Sequence, residues 1–402
     1  MTTTLAPPPR TTYREVLSEP RFRLLFLTRT LGIVADSLRI TTLSVLVFAT
    51  TGSPLLSALA FGAGFLPQLA GSLLLGGLAD RIRPRRLISA GYALSCAVAV
   101  LLGLAPLPVQ AVLLLVAVLA LLTPVFSGAS ARLVAEALTG DAYVLGRSLS
   151  NMASSGAQLA GLAGGGIAVT LLGPRQALLV SAAAYLIAAV AVRARLGDLP
   201  LPPTAPGTAP ARSWTVQRAL LGAPRVRGLL LAQWLPSAFS AGAEGLVVAY
   251  AGRSGFPAGT AGPLLACLPI GMLVGDLAVG RFVRPALRER LVVPLVLLLG
   301  LPLLAFAASP APVLCALLLV VSGAGFAYGL GLQRGFLEAL PEDSRGQAFG
   351  LLSSGNMTFQ GVCPLLFGLL AEAVPVGVAM SAAGVGVLLT AGYLRGVMRP
   401  GA

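Results

Sequence analysis

The chain has no lysine and no histidine, so all 28 of its basic side chains are arginine. A Schiff-base lysine, a histidine base and a histidine proton relay are therefore excluded. The nucleotide-binding string G-x4-G-K-S/T needs a lysine and is absent, and no G-x-S-x-G nucleophile turn occurs. Cysteine is scarce: Cys96, Cys267, Cys315 and Cys363 each sit inside an apolar run and share no metal-ligand spacing. They read as small helix-packing residues, so neither a metal nor a cofactor is expected. Charge of any kind makes up only 10% of the residues. The net charge is +14, but the arginines lie in loops rather than on a face interleaved with aromatics, so no nucleic-acid partner is expected.

What fills the chain instead is apolar sequence: 56% of its 402 residues are hydrophobic and the mean hydropathy is +0.88. A bilayer helix needs roughly 20 mostly apolar residues. Runs of that kind predict helices near 22–49, 54–79, 86–105, 109–133, 143–171 and 175–194, then 226–251, 259–283, 291–308, 311–336, 346–371 and 376–395. The expectation is an all-α membrane protein with twelve transmembrane helices in two pseudo-symmetric six-helix bundles. The N-terminal arm (1–21) has no apolar segment ahead of a cleavage site, so the first span is expected to stay uncleaved. The bundles occupy 22–196 and 226–397. They are joined by a Pro- and Ala-rich linker at 197–225 and followed by a short tail at 398–402. Of the arginines, 24 fall in the arm, the even-numbered loops, the linker or the tail, whereas only Arg175 and Arg253 fall in odd-numbered loops. By the positive-inside rule both termini face the cytoplasm, across the inner membrane, which agrees with an even number of spans.

An internal repeat supports the two halves. Arg132, Glu136-Ala137-Leu138 and Asp141 at the end of span 4 recur 202 residues later as Arg334, Glu338-Ala339-Leu340 and Asp343 at the end of span 10. Gly76-x-Leu78-Ala79 likewise echoes Gly275-x-Leu277-Ala278, each followed by an Arg-Pro step. Parallel six-helix repeats place a substrate site near the bilayer midplane, between the halves.

The turn after span 2 reads Gly76-Gly77-Leu78-Ala79-Asp80-Arg81-Ile82-Arg83-Pro84-Arg85-Arg86. It resembles the G-x-L-a-D-R-x-G-R-R signature of the major facilitator superfamily, with Arg83-Pro84 in place of the central glycine. The resemblance implies a cytoplasmic gate built from Gly76, Asp80 and Arg81. In it Asp80 would latch onto Arg132 and the start of span 11 near Arg345 to Gln347, with Glu136, Arg334 and Glu338 in similar clusters. In span 5, Gly161-Leu162-Ala163-Gly164-Gly165-Gly166 is similar to the G-P-x-x-G-G element of proton-coupled exporters, with Leu162 where that element has proline. Gly161, Gly165 and Gly166 also suit close helix packing, as such glycines do in any transporter.

Ionisable residues inside spans are expensive, so they pair or line a water-filled cavity. Asp36 and Arg39, three apart in span 1, can pair. The repeat aligns Glu244 of span 7 with Arg39, and in the family spans 1 and 7 both line the central cavity. Asp36, Arg39 and Glu244 are the first candidates for proton coupling, although a fixed ion pair that orients helices fits the same residues. Asp276, Gln158, Asn356 and Gln360 are secondary candidates. With no ATP-binding element in view, energy must come from an ion gradient or from the substrate.

The chain as a whole is similar to twelve-helix bacterial drug/proton antiporters of the macrolide and siderophore exporter type. The function expected on that resemblance is efflux of a small hydrophobic organic compound, with protons as the coupling ion, by a monomer in the lipid bilayer. A proton-coupled importer shares the architecture, whereas a sensor or an enzyme is a distant alternative because no catalytic constellation is present.

Overall fold

The computed structural model describes residues 12–75, 82–138, 140–197, 217–257, 259–340 and 345–397. Every regular element among them is helical. Lipid offers no partner for backbone N–H and C=O groups, so each segment must satisfy its own.

The first half contains α1 (Tyr13–Ser18), α2 (Pro20–Thr51), α3 (Pro54–Gly62), α4 (Leu66–Leu75), α5 (Pro84–Leu104), α6 (Val109–Ala137), α7 (Gly140–Leu172) and α8 (Pro174–Arg195). The second half contains α9 (Pro224–Glu244), α10 (Val247–Arg253), α11 (Ala261–Phe282), α12 (Pro285–Leu304), α13 (Pro312–Ala324), α14 (Tyr328–Glu338), α15 (Arg345–Ala373) and α16 (Val376–Val397). Proline opens α2, α3, α5, α8, α9, α12 and α13, at the position where its missing N–H costs nothing. That is why proline marks boundaries so well in this chain. Gly52, at φ 64°, takes the left-handed conformation that ends α2.

Two segments differ from the simple expectation. The arm carries α1, started by a capping box between Thr12 and Glu15, and Val16 is buried beside Phe22 and Leu138. Within the expected linker, 198–216 lie outside the described residues, but 217–222 are helical, and Leu220 is buried with Val226 and Leu230.

Among the described residues nine helices are long and apolar enough to cross a membrane. The other three expected spans are helical too, in each case diluted. α9 and α10 are broken at 245–246, α12 carries Arg288, Glu289 and Arg290 ahead of Pro294, and α15 carries Asn356 and Gln360 mid-length.

The repeat is visible in the packing. α2 packs on α7 as α9 does on α15; α5 packs on α8 as α12 does on α16; α4 packs on α6 as α11 does on α13. Between the halves, α3 meets α15 and α7 meets α11, two contacts that exchange under the repeat. Among the described residues, several close cross-half contacts gather at the end of the bundle away from the termini. There Ser53 Oγ donates to Glu372 Oε1 at 2.5 Å, and the Leu55 N–H donates to the same oxygen at 3.2 Å. Thr170 Oγ1 reaches the Gly259 carbonyl at 3.4 Å, and Phe48 packs on Gly252. At the opposite end Phe282 of α11 and Phe349 of α15 are exposed.

Candidate functional site

A cavity of ≈ 140 Å³ lies between the halves. The first half contributes Ser37 and Ile40 of α2, Phe61 of α3, Phe65, and Gln158, Leu159 and Leu162 of α7. The second half contributes Ser237, Ala241 and Glu244 of α9, Met272 and Asp276 with their apolar neighbours on α11, Phe326, and Gln360 of α15.

Three of these residues sit where a helix is interrupted. Phe65 lies in the turn between α3 and α4, Glu244 is the last residue of α9 before the break to α10, and Phe326 lies in the 3-10 turn between α13 and α14. Irregular backbone at membrane depth is tolerated where it lines a cavity rather than lipid. At the break after Glu244, Gly245 lets α15 approach closely: a side chain there would come within 2.9 Å of Pro364 Cβ.

Glu244 and Asp276 are the only ionisable residues lining this cavity among the described residues. Glu244 is part-buried and Asp276 is exposed, and neither carboxylate has a hydrogen bond or an ion pair among the described residues. Gln158 and Gln360 line the same space, and Asn356 stands one step behind it, accepting from Ser237 Oγ at 3.4 Å.

Asp36 and Arg39 are placed differently from the expectation that groups them with Glu244. They do pair, Arg39 Nη2 to Asp36 Oδ1 at 2.9 Å, but neither lines the central cavity. Tyr185 of α8 completes a triad: its hydroxyl donates to Asp36 Oδ1 at 2.6 Å and accepts from Arg39 Nε at 3.4 Å. Arg39 is buried, with Nη1 unpartnered. Asp36 and Tyr185 border another cavity of ≈ 230 Å³, walled by α2, α4, α5, α6 and α8 with Met357 of α15 at one edge.

Gly76, Asp80 and Arg81 lie outside the described residues. Arg132 approaches Glu136 at 3.5 Å and Arg334 meets Glu338 at 2.8 Å, each pair four apart on one helix. The span 5 glycines divide into two roles. A methyl group at Gly161 would stand 2.5 Å from the Val34 carbonyl oxygen, and one at Gly165 would stand 3.1 Å from Leu38 Cα, so both hold α7 against α2. Gly166 instead touches the other half: a methyl group there would overlap the backbone of Gly262, and one at Gly262 would overlap Gly166.

Sequence reasoning missed Tyr185, the three cavity phenylalanines and Glu372. A signal existed for Glu372, which stands at the arginine-poor end beside Arg253, one of the two arginines in odd-numbered loops; Arg253 Nη2 lies 3.9 Å from Glu372 Oε2.

A family model described as Major Facilitator Superfamily matches residues 25–337. The crystal structure of nucleoside transporter NupG superposes with a TM-score of 0.71 at 14% identity, covering 94% of this chain and 97% of that one. A bacterial homologue of the human lysosomal transporter Spinster, inward-facing and occupied, superposes with a TM-score of 0.68 at 15% identity, covering 94% and 96%. At these identities the likeness concerns the fold. No curated protein matches the sequence.

Proposed function

The chain belongs to the major facilitator superfamily, and on that premise we propose that it is a proton-coupled exporter of a small hydrophobic organic compound, working by alternating access. The observation that carries this reading is the cavity between the halves, where Glu244 and Asp276 have no hydrogen-bond or ion-pair partner among the described residues. A site bounded by both bundles changes its surroundings when the bundles rock, and a carboxylate there can take up a proton in one state and release it in the other.

The remaining assignments are part of the same proposal. The protein spans the inner membrane as a monomer with both termini in the cytoplasm, since the arginine-rich loops lie on that side. The far end, joined through Glu372 and through Gly166 against Gly262, is then periplasmic, and this conformation is closed toward the periplasm. Asp80, with Arg81 and Arg132, serves the opposite gate, holding the cytoplasmic side shut in the other state. Export is favoured over import by the glycines of span 5, which resemble the element of proton-coupled exporters.

The test is transport in proteoliposomes, with a substrate first identified by thermal stabilisation of the purified protein across a compound panel. Glu244→Gln mimics a permanently protonated acid. It should abolish uphill, pH-driven efflux while downhill exchange persists at saturating substrate. Full uphill transport by this variant at matched protein level would remove Glu244 from the coupling path, and accumulation in the opposite direction would make the protein an importer.

A further inference from the structure

We infer that the central cavity takes a compact organic cation, a quaternary ammonium or a protonated alkylamine, rather than a neutral or anionic molecule. The inference rests on the cavity being the transport site and adds the charge and size of what enters it.

Charge is set by what lines the space. Glu244 and Asp276 contribute two carboxylates, and no arginine stands among the lining residues that the structure describes. Both carboxylates lack a partner, whereas the other acid within the spans, Asp36, is engaged by Arg39 and Tyr185. Groups of this kind at membrane depth need a counter-charge or water, and a cationic ligand supplies the first. An anion would meet two like charges, and a neutral molecule would strip water from them without replacing it.

The rest of the wall suits an alkylated cation better than a metal ion. Phe61, Phe65 and Phe326 bring three aromatic rings to the cavity, two of them at breaks in the helices. Aromatic rings attract an ammonium through their quadrupole and pack against its alkyl groups. The oxygens of Ser37, Ser237, Gln158 and Gln360 are also available, but the apolar lining from α7 and α11 leaves no closed oxygen shell. Size is bounded by the volume of ≈ 140 Å³, close to the roughly 150 Å³ of an engineered cavity that holds benzene.

The experiment measures binding to the purified full-length protein with three probes of one shape: choline, its neutral carbon isostere 3,3-dimethyl-1-butanol, and the anion 3,3-dimethylbutyrate. Ionic strength is matched, and thermal stabilisation is the readout. Choline should bind at least about tenfold more tightly than the other two, because only it pairs with the carboxylates. Glu244→Gln and Asp276→Asn should each weaken choline binding by about tenfold while leaving the neutral probe unchanged. Glu244→Asp, which keeps the charge, should stay within a few-fold of the original. The three-probe comparison on the unaltered protein decides the matter even if an amide variant does not fold. Equal or tighter binding of the alcohol or the anion, absence of choline binding, or choline binding indifferent to both amide variants overturns the inference. Binding is read without a gradient, so the two readings fail separately. Cation selectivity without uphill transport removes only the exporter assignment. Uphill transport without cation preference removes only this inference.

Discussion

Replacing Glu372 with alanine should open the end of the bundle away from the termini. Glu372 sits at the end of α15, and its Oε1 accepts two hydrogen bonds from the first half, from Ser53 Oγ at 2.5 Å and from the Leu55 N–H at 3.2 Å. The acceptor stands at the N-terminus of α3, where unpaired N–H groups and the helix dipole favour a negative charge. Arg253 belongs to the same half as Glu372, so its contacts at 3.9 Å with the carboxylate and at 3.3 Å with the Ala371 carbonyl hold the acid in place rather than join the halves. Hydrogen bonds to a charged group are worth about 1.5–3 kcal/mol, but the Glu372 side chain is 37% exposed. Solvent competition reduces the pair to about 1–2 kcal/mol in total. The tether exists only while this end is closed, so its loss should raise the ratio of open to closed molecules by about 5- to 30-fold. The assay is the distance distribution between spin labels at Leu171 and Val313, exposed positions on opposite halves, with the four native cysteines replaced. Arg253→Gln, which leaves the cross-half bonds intact, should change the ratio by less than about threefold. A change below about twofold for Glu372→Ala would refute the tether.

Gly262→Leu should keep the protein folded but prevent α7 and α11 from closing at Gly166, so the same labels should report a permanently wider separation and transport should stop. Tyr185→Phe removes one donor to Asp36 while keeping the Arg39 pair; thermal stability should fall by an amount corresponding to about 1–2 kcal/mol, with ligand binding unchanged. A topology reporter fused within 204–210 or after Arg399 should read cytoplasmic and one at Ser309 periplasmic, and a periplasmic signal from 204–210 would overturn the orientation.

Much of the architecture was legible because lipid imposes one rule, about 20 apolar residues per span, and because proline and arginine punctuate the chain. The halves were legible because the string around Arg132 and Glu136 recurs around Arg334 and Glu338. The i,i+3 spacing of Asp36 and Arg39 was enough to foresee their pairing. The broken elements were harder to read. A hydropathy window passes across Gly245 and Gly325 without registering that the helix stops there, and those breaks bring Glu244 and Phe326 to the cavity. Aligning the repeat by sequence puts Glu244 opposite Arg39, yet the acid that shares its cavity is Asp276 of α11, in its own half. Tyr185 stands 146 positions from Arg39, and a lone tyrosine in an apolar run carries no mark of its partner.

The separation of the two acidic sites bears on which acid can couple transport to protons. Asp36, Arg39 and Tyr185 all belong to α2 and α8, two packed helices of the first half. All three contacts of that triad lie within the first half. Glu244 and Asp276 are in the opposite position. Part of their surroundings, Ser37, Ile40, Phe61, Phe65 and Gln158, comes from the half to which they do not belong, so the alternating access proposed above would change those surroundings. An ionisable group can drive a conformational cycle only through a difference in its free energy between the states. The central acids meet that condition by their place between the halves. The triad instead joins α2 to α8 within the first half.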